Sequence, residues 1–298
     1  SRLQKFLDQK KIDLAIFNNH DPSIIYFTQN NFSHAIMAIT SNEVKVFISR
    51  LDQPQKIKGI KFKELNNKWS DEIFKISKKK LSIKKIGINK SSLTVKYLEN
   101  LKEKFPKAEF VDLSKKINDL RREKTIFEIK NQEKACQITT EVFNKVIEEL
   151  PKGNLRTEQD VALFLESKIR KKGAKLAFPT IVACGKNAAI PHHLTSNKKL
   201  REGFLLIDFG AKYNNYCADM TRTIFLGTAR DEDKEIYNLL LNAQKEAINS
   251  IKEGISFLGL DQQVRKNLGK YEKNFIHSLG HGIGVEVHEE PVFSNKDS

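Results

Sequence analysis

Long apolar runs are missing from this sequence: nothing in its 298 residues approaches the roughly 20 consecutive apolar residues needed to cross a bilayer, so a membrane protein is not expected. Cysteine is scarce. Cys136, Cys184 and Cys217 are odd in number and form no CxxC pair, which argues against a disulfide framework or a zinc knuckle and for reduced thiols in a cytoplasm. The opening SRLQKFLDQKKIDLAIF has no continuous apolar stretch before a small-residue cleavage site, so no secretory signal is expected. Repeats and low-complexity linkers are also absent. Acidic residues are in deficit, 37 Asp+Glu against 52 Lys+Arg, giving a net charge of +15. The excess is concentrated in residues 1–120, with 24 basic against 13 acidic side chains, while the remainder holds 28 against 24. Lys75, Lys78, Lys79, Lys80, Lys84 and Lys85 lie on amphipathic segments without interleaved aromatics. That is the pattern of a solvated basic face, and a nucleic-acid partner is not expected.

The length exceeds the usual reach of one hydrophobic core, so two domains are expected. Residues 1–118 alternate short apolar strands (13–17, 35–40, 44–49, 85–89) with helical segments near 51–58, 70–80 and 92–105, the signature of an α/β domain. A charged amphipathic pattern then runs from 118 to 150, breakable near 121–125, with Ile126, Ile129, Ala135, Ile138, Val142, Phe143 and Val146 at helical spacing. Its start is taken as the boundary of a second domain, 119–298. Thr157 and Asp160 signal a helix N-terminus, and Gly173 the following stop. Beyond them come strand-like runs at 178–185 and 204–210, a hairpin through 211–226, a helix over 231–252 and a glycine-rich strand region at 277–293.

Chemistry concentrates in this second half. Five of the seven histidines follow residue 190, and Asp208 and Asp219 lie on apolar, strand-like runs where an unpaired carboxylate is costly to bury. A two-residue turn at Tyr213 and Asn214 would set Asp208 opposite Asp219 on one face. Facing carboxylates repel unless a cation lies between them. A bound metal, a salt bridge from Arg222 or Arg201, and a solvent-exposed hairpin all remain open from spacing alone. In HSLGHGIGVEVHEEP (277–291), glycines alternate with His277 and His281, so a strand with close backbone approach is expected rather than a helical zinc pair.

Three segments, FPTIVACGKNAAIPHH (178–193), LLIDFGAKYNNYCADMTRT (205–223) and HSLGHGIGVEVHEEP (277–291), resemble successive motifs of the Xaa-Pro dipeptidase and aminopeptidase P family. The stretches DLAIFNNHDPSIIYFTQ (13–29) and LRREKTIFEIKNQEKA (120–135) are similar to that family's creatinase-like N-domain and the helix that follows it. The resemblance implies an α/β (α+β) protein with a creatinase-like N-terminal domain and a pita-bread catalytic domain. It implies Asp208, Asp219 and His281 as ligands of two divalent ions, manganese foremost with cobalt, iron or zinc as alternatives. Asp219 would bridge the ions, His192 and His288 would be catalytic, and Phe178 and His277 would bind substrate. His193 is expected to point away from His192 and to be non-catalytic. The family's two glutamate ligands lie on later strands, and the chain ends at Ser298 before either. The resemblance therefore implies a C-terminally truncated domain, inactive as it stands. The expected activity is hydrolysis of Xaa-Pro bonds in short proline-containing peptides through a metal-activated water, by a cytoplasmic homodimer. A methionine aminopeptidase-like enzyme and a non-catalytic peptide-binding module on the same fold are the alternatives.

Overall fold

The computed structural model describes residues 1–66, 69–76 and 83–293. The chain divides into two compact units, Ser1–Glu123 and Lys124–Ser298.

In the first unit, strands β1 (Leu14–Asn18), β2 (Ala35–Ile39), β3 (Val44–Ile48), β4 (Ile60–Glu64), β5 (Lys85–Ile88) and β6 (Glu109–Asp112) form one mixed sheet in the order β4-β3-β2-β1-β5-β6. Helices α1 (Arg2–Gln9), α2 (Pro22–Thr28), α3 (Trp69–Ile76), α4 (Val95–Lys104) and α5 (Ser114–Arg122) surround it. The two-residue period of a strand sorts the side chains. Ala15, Phe17, Met37, Ile39 and Val46 pack with Leu3 and Leu7 of α1 and Ile117 and Leu120 of α5. Leu14, Ile16, Ile36, Phe47 and Ile86 pack on the other face with Trp69, Ile73 and Leu101. With both faces covered, β1 and β2 are buried along their whole length, so their sequences read as continuous apolar runs.

One expected element is not a helix. Residues 51–58 form a turn and extended chain, because the Asp52 carboxylate is held by the Ser33 backbone N–H (3.1 Å) and Oγ (2.8 Å), and Pro54 removes a helical donor. Strand β4 follows instead. Of the helix expected over 70–80, the structure gives α3 to Ile76; residues 77–80, with Lys78, Lys79 and Lys80, lie outside the described residues.

The second unit begins after a break at residues 123–125. Helix α6 (Ile126–Glu149) starts at Thr125, which accepts from the Glu128 N–H while Glu128 reaches back to Thr125. The long pattern from 118 is thus two helices, and the boundary expected at 118 falls inside α5. This cap also changes which face of α6 is buried. Glu128 and Asn131 are covered, while Ile126 and Ile129 are 75% and 44% exposed. Farther along, Ile138, Val142 and Val146 join Val161, Leu165 and Ile169 of α7 (Glu158–Lys171) over a sheet carrying Val182, Leu205, Ile207 and Phe209.

Short strands follow: β7 (Lys175–Leu176), β8 (Ile181–Cys184), β9 (Gly203–Phe209), β10 (Ala211–Tyr213), β11 (Tyr216–Cys217) and β12 (Met220–Leu226). They make two three-stranded sheets, β12-β9-β8 and β11-β10-β7. Helices α8 (Asp231–Ser250) and α9 (Phe257–Leu268) pack through Ala243, Ala247, Leu260 and Val264. The chain then forms the β13 (Gly280–Gly282) and β14 (Glu289–Phe293) ribbon.

Candidate metal centre

On β9, Leu205, Ile207 and Phe209 point into the core, so the two-residue period turns the intervening Asp208 to the opposite face. The chain returns through a turn at Asn214 (φ 46°) and Asn215 (φ 70°), a left-handed conformation that asparagine tolerates and tyrosine does not. The turn is therefore one residue later than the expected Tyr213–Asn214. Tyr213 pairs with Tyr216, and Asp208 opposes Thr221 rather than Asp219. Moving the turn by one residue moves the partner by two, which preserves the face: Asp219 becomes a diagonal neighbour of Asp208 instead of leaving its side. Gly210 permits the approach, because a Cβ there would lie 1.8 Å from the Ala218 carbonyl oxygen and 3.2 Å from the Phe178 ring. Phe178 thus flanks the end of the Asp208 strand.

Both carboxylates are uncomfortable as they stand. Burial raises the pKa of Asp219 and the charge of Asp208 raises it further; His281 and His288 pull the other way. Burial also raises Asp208, against a hydrogen bond from Thr221 Oγ1 (2.9 Å) and the influence of His192, His281 and His288. Among the described residues no ion pair joins Arg201 or Arg222 to either aspartate, and Arg222 donates to the Thr221 carbonyl at 2.8 Å. That leaves the salt-bridge alternative without the arginine it calls for.

His281 enters from β13. Its Nδ1 lies 3.1 Å from the Gly282 carbonyl oxygen and donates to it, so that in the neutral ring Nε2 is the nitrogen that offers a lone pair. Nε2 stands 3.4 Å from Asp219 Oδ2. Two acceptors facing each other at that range need a proton or a cation between them, and this is the observation by which the donor set fits a metal. The His288 ring centroid is 4.2 Å from that of His281, on the chain between β13 and β14. His192, exposed on the turn after β8, completes the group around Asp208. Among the described residues no three His, Cys, Asp or Glu side chains gather tightly enough to hold an ion by themselves. The Asp219–His281 pair is the tight element and Asp208 stands beside it.

The hairpin that presents His281 and His288 is braced by its own glycines and Glu289 and by residues elsewhere in the chain that the motif does not announce. A Cβ on Gly282 would strike the Glu290 carbonyl oxygen at 2.5 Å, and one on Gly284 would strike Glu289 Oε2 at 2.4 Å. These two glycines allow the close approach expected of the motif, whereas Gly280 has open space. Buried Glu289 pairs with Lys124 Nζ at 3.2 Å and accepts the Glu286 N–H at 3.1 Å. Lys212 Nζ and Gln132 Nε2 donate to the carbonyls of Val285 (2.7 Å) and Ile283 (2.9 Å). Fully buried Asp261 holds Arg265 at 2.6 Å and the Leu279 N–H at 3.1 Å, and Arg265 in turn donates to the His277 carbonyl at 2.8 Å. Lone Lys and Gln residues so far from their partners carry no local signal, and the four-residue spacing of Asp261 and Arg265 marks a helical ion pair without showing that it reaches the ribbon. His277 itself directs Nδ1 to the Ser278 carbonyl (2.7 Å) and stacks edge-on with Phe275; no ion pair or ring contact joins it to the centre among the described residues.

Residues 130–298 match metallopeptidase family M24, and residues 1–122 match the creatinase/prolidase N-terminal domain. The chain belongs to family M24. It is 36% identical over 99% of its length to the Xaa-Pro dipeptidase of Pyrococcus furiosus, covering 84% of that protein. The crystal structure of an X-Pro aminopeptidase from Thermotoga maritima superimposes with a TM-score of 0.86 at 30% identity, covering 99% of this chain and 86% of that one. The Xaa-Pro dipeptidase from Bacillus anthracis gives a TM-score of 0.87 at 32% identity over 99% and 84%. The first unit is accordingly a creatinase-like domain, the second carries the pita-bread fold, and the M24 protein is a metal-dependent peptidase.

Proposed function

We propose that this M24 protein is an exopeptidase that cleaves Xaa-Pro bonds in dipeptides or short peptides. The observation that carries the reading is the opposition of His281 Nε2 to Asp219 Oδ2 at 3.4 Å beside the raised carboxyl of Asp208, a nitrogen and oxygen donor set suited to a divalent cation. Asp208, Asp219 and His281 are the ligands in this reading, with Asp219 bridging. Ions held there would lower the pKa of a water and polarise the scissile carbonyl. His288, whose ring lies against that of His281, and His192, near Asp208, would donate hydrogen bonds to the developing oxyanion and to the substrate's own carbonyl. Phe178 offers an apolar surface for the proline ring, and His277 lies at the rim of the substrate site.

Relatives named Xaa-Pro dipeptidase and X-Pro aminopeptidase support the substrate class, and the match to a creatinase/prolidase N-terminal domain favours it over a methionine aminopeptidase. Manganese as the metal, a homodimer and a cytoplasmic location are the finer parts of the proposal; three free thiols are consistent with the last. The test is turnover of a Xaa-Pro dipeptide against a Pro-free control by full-length protein, before and after chelation and manganese addition. Metal binding without turnover of either peptide would favour the peptide-binding alternative.

A further inference from the structure

The segment 185–198, between β8 and the bridge of Lys199 to Thr157, carries His192 at an exposed turn flanked by Ile190 and Leu194, which are 51% and 86% exposed. Such a tip has no core of its own to fix it. Beneath it lies Glu158, the first residue of α7, with its side chain fully buried. Oε1 accepts the Cys184 N–H at 2.9 Å, where the segment begins, and Asn187 Nδ2 at 2.8 Å on its rising limb. Oε2 accepts His193 Nε2 at 2.9 Å beside the tip, and Ser196 Oγ at 2.9 Å on the return. The backbone adds Gln159 N to Ser196 O and Glu158 N to Lys198 O, each at 3.0 Å. One carboxylate thus ties four points of a loop that would otherwise hang from its ends. His193, next to the tip, is bound on the inner side, and His192 is left exposed beside it, near enough to Asp208 to act on its carboxyl.

We infer that Glu158, acting through its hydrogen bond to His193, is the positioning residue that presents His192 to the substrate. This rests on the proposed peptidase reading, in which His192 touches substrate. A buried carboxylate at a helix N-terminus also stabilises the helix and its neighbours. Positioning adds a different consequence: disturbance of the Glu158–His193 bond must act on catalysis through His192.

The test uses His193, the partner whose loss leaves the Glu158 anchor itself in place. Full-length His193→Leu, His193→Gln, His192→Ala and the double variant His192→Ala/His193→Leu are compared for kcat, KM and manganese stoichiometry on a Xaa-Pro dipeptide, with melting temperatures recorded. Losing the donor in His193→Leu should lower kcat about 10-fold with metal content unchanged, whereas His193→Gln, which retains an N–H donor, should recover most of it. In the His192→Ala background the same His193→Leu change should cost less than about 2-fold, because the residue it positions is gone. Additive losses in the double variant, or equal kcat for the Leu and Gln variants, would overturn the inference. If the unmodified protein fails to turn over the dipeptide at all, the peptidase reading fails instead. Should His193→Leu not fold, Ser196→Ala, which removes another donor to the same oxygen, should weaken kcat in the same His192-dependent way; unchanged kcat there also overturns the inference.

Discussion

Replacing Glu158 with glutamine should destabilise the catalytic unit strongly at neutral pH and much less in acid. Burial works to raise the pKa of this carboxyl, but hydrogen bonds from the Cys184 N–H, His193, Asn187 and Ser196 outweigh it and bring the group down to about 2 from 4.5. A carboxyl held that far below its unfolded value contributes about 3 kcal/mol to stability at neutral pH, the full difference between the two protonation equilibria. The sign follows from the direction: the contribution is present above the unfolded value of 4.5 and is lost as pH falls towards 2. By pH 3 roughly half or less should remain. Glutamine retains one acceptor for Cys184 and Asn187 but turns an N–H₂ towards His193 and Ser196, so the loss at pH 7 should be about 2–4 kcal/mol. For a unit of this size that corresponds to a fall in Tm of roughly 5–12 °C. Thermal unfolding of wild type and Glu158→Gln from pH 7 to pH 3 measures the gap. A gap under about 0.5 kcal/mol at pH 7, or one that does not narrow in acid, would refute the reasoning that the carboxylate is a charged buried anchor.

Asp219→Asn should remove both metal and turnover in the full-length protein, since a neutral amide cannot balance two cations; metal stoichiometry beside kcat reads both. His288→Ala should keep the metal and lower kcat by about 100-fold, as expected for a group that meets only the transition state, and loss of metal instead would reverse its assigned role. Gly210→Ala should disrupt the hairpin, because its Cβ would fall 1.8 Å from the Ala218 carbonyl oxygen; unfolding midpoint and metal content should drop together, and a variant that retains both contradicts the described approach. Arg265→Met should cost about 3–5 kcal/mol by leaving fully buried Asp261 without its cation, measured by denaturant unfolding, and an unchanged midpoint would mean the pair is dispensable.

The second unit was the more legible half because its chemistry is written in short, ordered motifs. DFG and YCADMTRT place two carboxylates on a hairpin, and alternating glycines announce the ribbon that carries His281. What the hairpin hid was register. Whether Tyr213–Asn214 or Asn214–Asn215 makes the turn is decided by which residue bears a positive φ, and asparagine at both positions suits it better. The error moved the cross-strand partner of Asp208 to Thr221 without moving Asp219 to the other face, since parity survived. The helix expected at 51–58 failed for another reason: the tertiary grip of Asp52 on Ser33 outbids local propensity. The buried face of α6 was misplaced at its N-terminal end, where the capping Glu128 rather than Ile126 turns inward. The bracing residues Lys124 and Glu158 could not be singled out, because their partners lie far along the chain and a single charged residue carries no periodicity; Asp261 and Arg265 stand at the four-residue spacing of a helical ion pair, but the Leu279 N–H and His277 carbonyl they hold are as distant.

The central claim is that Asp208, Asp219 and His281 bind divalent ions used to cleave Xaa-Pro peptides. Its most direct test follows hydrolysis of a Xaa-Pro dipeptide by metal-stripped full-length protein during titration with manganese, beside the Asp219→Asn variant and a Pro-free dipeptide. Turnover that rises with bound metal to saturation, is confined to the Xaa-Pro peptide and is absent from Asp219→Asn is the predicted result. Hydrolysis that persists without metal, or that survives Asp219→Asn at the wild-type rate, would contradict it.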